Sequence, residues 1–437
     1  MTGTQTVEGV SSSFNEEAVE ARTAGAPAWL AERRRAAWQS YLSLPLPTTR
    51  LEEWRYTDPK RLAWNRVALA EPGRQSPLPE HLRAHLASRD AVARAFRAGT
   101  AATESAIAAA VERKGLVVTD LAVAVRTHEG LVREHLGGAL PAATGKFVAL
   151  NAALWSGGLF IHVPRGLRLD HPIRVVHWVD QPGLAYLPRT LLVVEEGAHI
   201  AVVEEFTSPD FDEPVFVCGA AEVYAAASAE VQYVTLQRFG RGVRHLSMQR
   251  TVAQRDASLD TLTVNLGATV ARVELAASLE GPGARSDMLG LCFGHADQHF
   301  DHETRQDHRV PHASSDLLYK GALTDRASSV FRGLIKVWPK AQRTDAYQTS
   351  RNLILSPHAQ ATSLPNLEIE ADDVRCSHAA TVGHLDDEEL FYIMSRGIPR
   401  TEAERLVVFG FFSDVLKRLP MPGVVRELRD AIEARIG

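Results

Sequence analysis

Two stretches of this chain concentrate residues that can bind metals or move protons. The first, GHADQHFDHETRQDHRVPH (294–312), holds His295, His299, His302, His308 and His312, five of the 17 histidines. On a strand, alternate side chains share a face, so His299, Asp301 and Glu303 would point the same way. A histidine with two carboxylates suits iron or manganese. The helical HExxH spacing is absent, and the same mixture of charges also suits a solvated strand with cross-strand pairs.

The second stretch, RCSHAATVGHLDDEELFY (375–392), contains Cys376 and His378 at i and i+2. On a strand both would face one side, as two ligands aimed at one ion would. A nucleophile and its base usually come from separate elements with a third orienting group, so the spacing is less natural for a thiol catalyst. Two ligands make half of a four-coordinate site, and the others would come from His384, from elsewhere on the chain or from a second chain. A buried, inert cysteine remains the plain alternative. Cys218 and Cys292, the other two cysteines, fall within apolar runs and suit the core. ATGKF (143–147) fails as a phosphate loop, with Leu140 in place of the first glycine and Phe147 in place of Ser/Thr. Neither GxGxxG at a strand–helix junction nor GxSxG occurs.

These residues must be positioned by the elements around them. From about 146 to 385 short β-rich runs follow one another, among them KFVALNAAL, GLFIHVP, IRVVHWV and AEVQYVTLQRF, and no helix is expected to interrupt them. A weak repeat runs through this region: an alanine after a turn, then polar residues, then an apolar strand. It marks Ala198, Ala229, Ala257, Ala284, Ala313, Ala327, Ala341 and Ala359, with steps of 31, 28, 27, 29, 14, 14 and 18 residues. Spacings near 14 or twice 14 describe a β-solenoid with small residues at its corners; a large antiparallel sandwich is the competing architecture.

Residues 1–145 read as a mainly helical domain, with 1–25 disordered, a helical pattern over 26–43 and Ala/Arg/Glu-rich helices over 78–113. Residues 386–437 read as a C-terminal helical domain. Asp386 with Glu389, and Thr401 with Glu404, have capping-box spacing and predict helices over 387–395 and 402–418, before a last one over 424–436. LVVFGFFSDVL (406–416) is apolar on nearly every side, which predicts burial against another subunit or between the solenoid and the last helix.

At 437 residues, 45% hydrophobic and 23% charged, the composition is that of a globular protein of two or three domains, unless it is elongated. A net charge of −5 gives no nucleic-acid footprint and no polybasic membrane patch. No apolar run approaches the roughly 20 residues that span a bilayer. The acidic N-terminus, without an apolar core, argues against a targeting signal, and three scattered cysteines fit a reducing cytoplasm.

RCSHAATVGHLDDEELFYIMSRGI (375–398), PHASSDLLYKGALTDRASSVFRGLIKV (311–337) and QRTDAYQTSRNLILSPHAQATSLPNLEIEADDV (342–374) together resemble the SufB/SufD family of iron–sulfur cluster assembly proteins. Ser377 before His378, the overall length and LPLPTTRLEEWRYTD (44–58) resemble its SufD branch more than SufB. The resemblance implies a right-handed parallel β-helix over 146–385, between the N-terminal helical domain and a C-terminal domain that binds an ATPase, SufC. It implies a non-catalytic scaffold that pairs with SufB through the β-helix, with sulfur reaching SufB from a cysteine desulfurase and its carrier. A nascent cluster would form between the two chains, with His378 as this chain's contribution and Cys376 in the same Cys-Ser-His motif as a second candidate. Phe391, Tyr392, Val408, Phe409, Phe411 and Phe412 are the expected ATPase contacts. No cofactor is expected to stay bound to the isolated chain; the cluster would be transient, and flavin association with the complex and homodimerisation are left open. A metal-dependent β-solenoid enzyme using the 295–312 histidines is the alternative.

Overall fold

A computed structural model describes residues 13–435 except 75, 88, 89, 420 and 434. Most of the expected disordered segment 1–25 therefore splits in two. Residues 1–12 lie outside the described residues, whereas Glu16–Thr23 form a helix (α1) capped by Asn15 and anchored by buried Val19. It is followed by α2 (Ala28–Ser43), α3 (Glu80–Ala87), α4 (Ala109–Glu112), α5 (Leu121–Thr127), α6 (Glu129–His135) and α7 (Lys146–Leu154).

Strands are interspersed: β1 (Ala68–Leu69), β2 (Ala93–Ala98), β3 (Glu104–Ile107) and β4 (Val117–Asp120). The expectation of helices across 78–113 is thus corrected. Within ARAFRA, alternation puts Ala93 and Ala95 inside, and β2 pairs in parallel with the first coil strand of one sheet. Helix propensity loses there to a sheet edge that needs a partner.

Eight coils follow, each contributing one strand to each of two parallel sheets. Sheet A contains β5 (Gly158–Val163), β8 (Arg189–Val194), β10 (Val215–Ala225), β12 (Val243–Ala253), β14 (Val270–Leu279), β16 (His299–His308), β18 (Ser328–Val337) and β20 (Gln360–Ile369). Sheet B contains β6 (Ile173–Trp178), β9 (His199–Thr207), β11 (Glu230–Arg238), β13 (Ser258–Asn265), β15 (Arg285–Gly294), β17 (Ser314–Leu323), β19 (Asp345–Ile354) and β21 (Arg375–His384). A short strand, β7 (Leu184–Tyr186), pairs with β1 and β10 at the margin. Successive coils stack in register, from 26 residues per coil (Arg244 opposite Val270) to 32 (Ser328 opposite Gln360).

The alanine repeat has a structural cause. Gly197, Ser228, Asp256, Gly283 and His312 all take left-handed backbone conformations, with φ of 67°, 57°, 58°, 76° and 62°. Each is followed by a fully enclosed alanine (198, 229, 257, 284 and 313) that closes a corner where a larger side chain would not fit. The first sheet-to-sheet core, including Ile161, Val194, Val202, Val223 and Val231, fills the space between those corners.

One predicted strand is a helix: KFVALNAAL forms α7. It is buried on almost every side, so its sequence carries no period to distinguish the two. Lys146 donates from Nζ to Leu44 O at 2.7 Å, and Asn151 Nδ2 to Cys218 O at 2.8 Å, which satisfies polar groups sealed beneath it. The N-terminal helices α1, α2 and α7 cover the outer face of sheet A, packing on Phe216, Cys218 and Ala220.

The C-terminal helices are α8 (Asp387–Met394), α9 (Arg400–Lys417) and α10 (Pro422–Glu433). Asp386 caps α8 as predicted, accepting from the Glu388 and Glu389 amides at 2.8 and 3.4 Å. The second capping box does not form: Pro399 precedes α9, Thr401 lies inside it, and Glu404 pairs with Arg400 at 2.8 Å. Helices α9 and α10 cover the outer face of sheet B, placing Val408, Phe412, Val415, Leu428 and Ile432 against Val203, Val234, Leu262 and Leu289.

Candidate functional site: the open end of the solenoid

The last coil has no successor. Among the described residues β20 pairs only with β18 and β21 only with β19, so two ten-residue strands present free edges. No residue of either strand is buried, in contrast to the coil beneath. Val382 and Ile369 are exposed there, at 47% and 40%. Exposed edges of this length invite pairing with another chain.

Cys376 and His378 lie on β21, opposite Ala346 and Gln348 of β19. Ala346 and Gln348 are both buried, so their column faces the space between the sheets, and the two ligand candidates share that side. Cys376 packs beside Ala346, Leu367 and Val374. Its thiol is held above its ordinary range by burial, with Asp345 adding to the effect. His378 is exposed at the mouth of the solenoid. His384 is exposed at the far end of the same strand.

The five-histidine run does not converge. His295 lies near Arg435 (3.3 Å between Nε2 and Nη1), and His312 is a corner residue with positive φ. His302 and His308 lie between the sheets, on Asn265 Nδ2 and Ser315 Oγ at 2.7 Å each. Burial pushes both imidazoles down to about 4, so they are neutral donors and acceptors of the core.

His299, Asp301 and Glu303 do share the outer face of sheet A, as their spacing predicted. A cation already stands among them, and it is a guanidinium. Arg272, fully buried, reaches Asp301 Oδ2 at 2.6 Å, Glu274 Oε1 at 3.0 Å and the Glu303 carboxylate, and it stacks 4.1 Å over the Trp54 ring. Thr57 donates to Asp301 and lies 2.8 Å from His299 Nε2, whose Nδ1 lies 2.8 Å from Ser328 Oγ. Burial, followed by the charge of Arg61, lowers His299 to about 4. The part of segment 44–58 that carries Trp54 and Thr57, quoted above for the family resemblance, is therefore the strap held down by this cluster.

Among the described residues one trio places histidine and carboxylate ligand atoms within 4.8 Å: His85, Glu205 and Glu427. Two guanidinia neutralise it. Arg174 lies 2.8 Å from Glu427, and Arg238 lies 3.4 Å from Glu205, so the trio fastens α10 to sheet B. Sequence spacing could not reveal this cluster, because its members are 120 or more residues apart.

The expected ATPase contacts divide by burial. Phe391 and Tyr392 on α8 are 74% and 59% exposed, with Met394 and Leu406 exposed beside them in the sequence of α8 and α9. Phe409 and Phe411 are half-buried. Val408 and Phe412 are corrected: both are sealed against sheet B within this chain, as the uniformly apolar sequence of α9 allowed. Lys320 locks that arrangement, donating from Nζ to Phe411 O and Asp414 Oδ2 at 2.6 Å each.

Residues 177–411 match the family model "SUF system FeS cluster assembly, SufBD core domain", and residues 12–175 match "SufBD protein N-terminal region". The chain belongs to the SufBD family. A relative from Staphylococcus epidermidis, "Iron-sulfur cluster assembly SufBD family protein", is 31% identical over 330 residues, covering 75% of this chain and 71% of its own. Relatives from Staphylococcus saprophyticus and Staphylococcus aureus are 31% and 30% identical over the same coverage. The core match runs from the end of β6 to the last strand and most of α9, so this SufBD chain carries the family core across the whole open end. No helix among the described residues is long and apolar enough to cross a membrane.

Proposed function

We propose that this chain acts as the SufD-type, non-catalytic scaffold subunit of an iron–sulfur assembly complex. Its open coil pairs with a SufB chain, and His378 contributes to a cluster held between them. The observation that carries this reading is the exposed imidazole of His378 beside Cys376 on the last coil, above which no further strand pairs among the described residues. Two ligands on a free edge form half a coordination sphere, and a second chain pairing there would bring the rest. The cluster is cargo in this scheme, and the isolated chain holds none stably. The exposed aromatics of α8 are the proposed dock for a SufC ATPase, whose hydrolysis would reshape the interface.

The test is His378→Ala in the full complex. Folding and co-purification with the partner chains should persist while cluster maturation in cells is lost. Normal maturation would remove His378 from the assignment. Recovery of the purified chain only as a self-paired dimer, with no SufB bound, would remove the pairing. A β-solenoid metalloenzyme is disfavoured because Arg272 neutralises the carboxylates that would bind its metal.

A further inference from the structure

Arg244 stands on the outer face of sheet A, in one row with Phe216 of β10 and Val270 of β14. Those two neighbours are sealed in the core beneath the N-terminal helices. Of two consecutive 3-10 helices, Pro59–Leu62 and Trp64–Arg66, the first packs on β12. Ala63, left-handed at φ 52°, turns the chain between them. Leu62 and Trp64 enter the same core as Phe216 and Val270, while Arg61 and Arg66 stay exposed at its margin.

Burial, followed by the charges of Arg61 and Arg66, pushes the Arg244 guanidinium below its ordinary range. Burial lowers Arg61 as well, and Asp58 opposes that effect. The Asp58 carboxylate is exposed and accepts from the Lys60 amide at 2.9 Å. Among the described residues none of the three arginines forms an ion pair. Nη1 of Arg244 is buried and has no hydrogen-bond partner. Other guanidinia withdrawn from water on this face meet carboxylates: Arg189 lies 2.7 Å from Glu222, and Arg272 lies 2.6 Å from Asp301. Like charges gathered around a buried donor are unfavourable unless an anion joins them. The chemistry that suits this cluster is therefore anionic.

We propose that Arg61, Arg66 and Arg244 form a binding site for an oxyanion, the phosphate or diphosphate group of a small molecule. Guanidinium forks match phosphate oxygens in geometry, and each can give two parallel hydrogen bonds. A singly charged carboxylate would leave most of the positive charge in place, whereas a phosphate dianion or a diphosphate offsets it. Nucleic acid is disfavoured, because it needs an extended basic surface and this chain carries a net charge of −5. Arg244 is on β12 of sheet A and His378 on β21 of sheet B, so the proposal does not depend on the cluster assignment.

The experiment is calorimetric titration of the full-length chain, in buffer of low ionic strength, with inorganic phosphate, pyrophosphate and ADP in turn. At least one of them should bind saturably at a single site. Arg244→Gln and Arg61→Gln should each weaken that binding about tenfold or more, the usual cost of losing a hydrogen bond to a charged group. Arg165→Gln, which removes an exposed guanidinium 3.1 Å from Glu196, should leave it unchanged. Pyrophosphate and ADP binding alike, and more tightly than phosphate, would support a diphosphate-bearing ligand. Inorganic phosphate binding as tightly as either would support free phosphate. Absence of saturable binding with all three anions overturns the proposal. So does binding that survives both Arg61→Gln and Arg244→Gln, or that falls equally in Arg165→Gln, because the charge would then act without a site. Should Arg244→Gln fail to fold, Arg61→Gln, at an exposed position, still decides.

Discussion

Arg272→Ala should destabilise the N-terminal strap of the molecule, and the cost can be assembled from its contacts. The guanidinium is fully buried and meets three carboxylates of unequal exposure: Asp301 at 2%, Glu274 at 20% and Glu303 at 30%. Removing one partner of a buried pair costs about 3–5 kcal/mol, because the other charge stays buried without compensation. That figure applies to Asp301. Glu274 and Glu303 reach water, and their screened contributions are each about 1 kcal/mol or less. Loss of stacking on Trp54 adds about 0.5–2 kcal/mol. The total is dominated by one stranded carboxylate, so Arg272→Met combined with Asp301→Asn should recover most of the loss. Urea denaturation followed by the fluorescence of the tryptophans, with protease susceptibility of segment 44–66 as the local readout, would measure both variants. A single mutant within about 0.5 kcal/mol of wild type would refute the argument. So would stoichiometric metal in the purified chain that disappears in Asp301→Asn, because the cation at this position would then not be the arginine.

Three further outcomes follow from burial and charge. Phe391→Ser with Tyr392→Ser should abolish ATPase binding in a pull-down while leaving the melting temperature unchanged, whereas Phe412→Ala should cost about 3–5 kcal/mol of stability by opening a cavity under α9. Glu303 is raised to about 7 by burial and then by Glu274, so the folded state holds its proton more tightly than the unfolded state does. Its contribution to stability is therefore present below the ordinary carboxylate value and is lost as pH rises through about 7. Glu303→Gln should flatten the stability profile between about pH 4.5 and 7, and an unaltered profile would count against the shift.

Much of the architecture was legible because corner chemistry repeats. A left-handed residue followed by an alanine recurs at five turns from sheet A to sheet B, and only small residues fit there. The same-face placement of Cys376 with His378, and of His299 with Asp301 and Glu303, was equally legible, since strand alternation depends on nothing distant. Helix α7 was not, because a segment buried on all sides has no polar face to reveal its period. Nor was β2, where an Ala/Arg composition that favours helix was overruled by a sheet needing an edge strand. The apolar surface of α9 showed that it would be covered, yet not by what.

The amino-acid sequence by itself determined the coil repeat, the family and the pairing of Cys376 with His378 on one face, all of which are local or near-local properties. Tertiary structure decided which polar groups are free to act. It placed a guanidinium among His299, Asp301 and Glu303, sealed Val408 and Phe412 against sheet B, and ended the solenoid one coil above Gln348. Charge neutralisation, burial and an uncovered edge depend on residues brought together from distant parts of the chain, and spacing along a strand cannot report them.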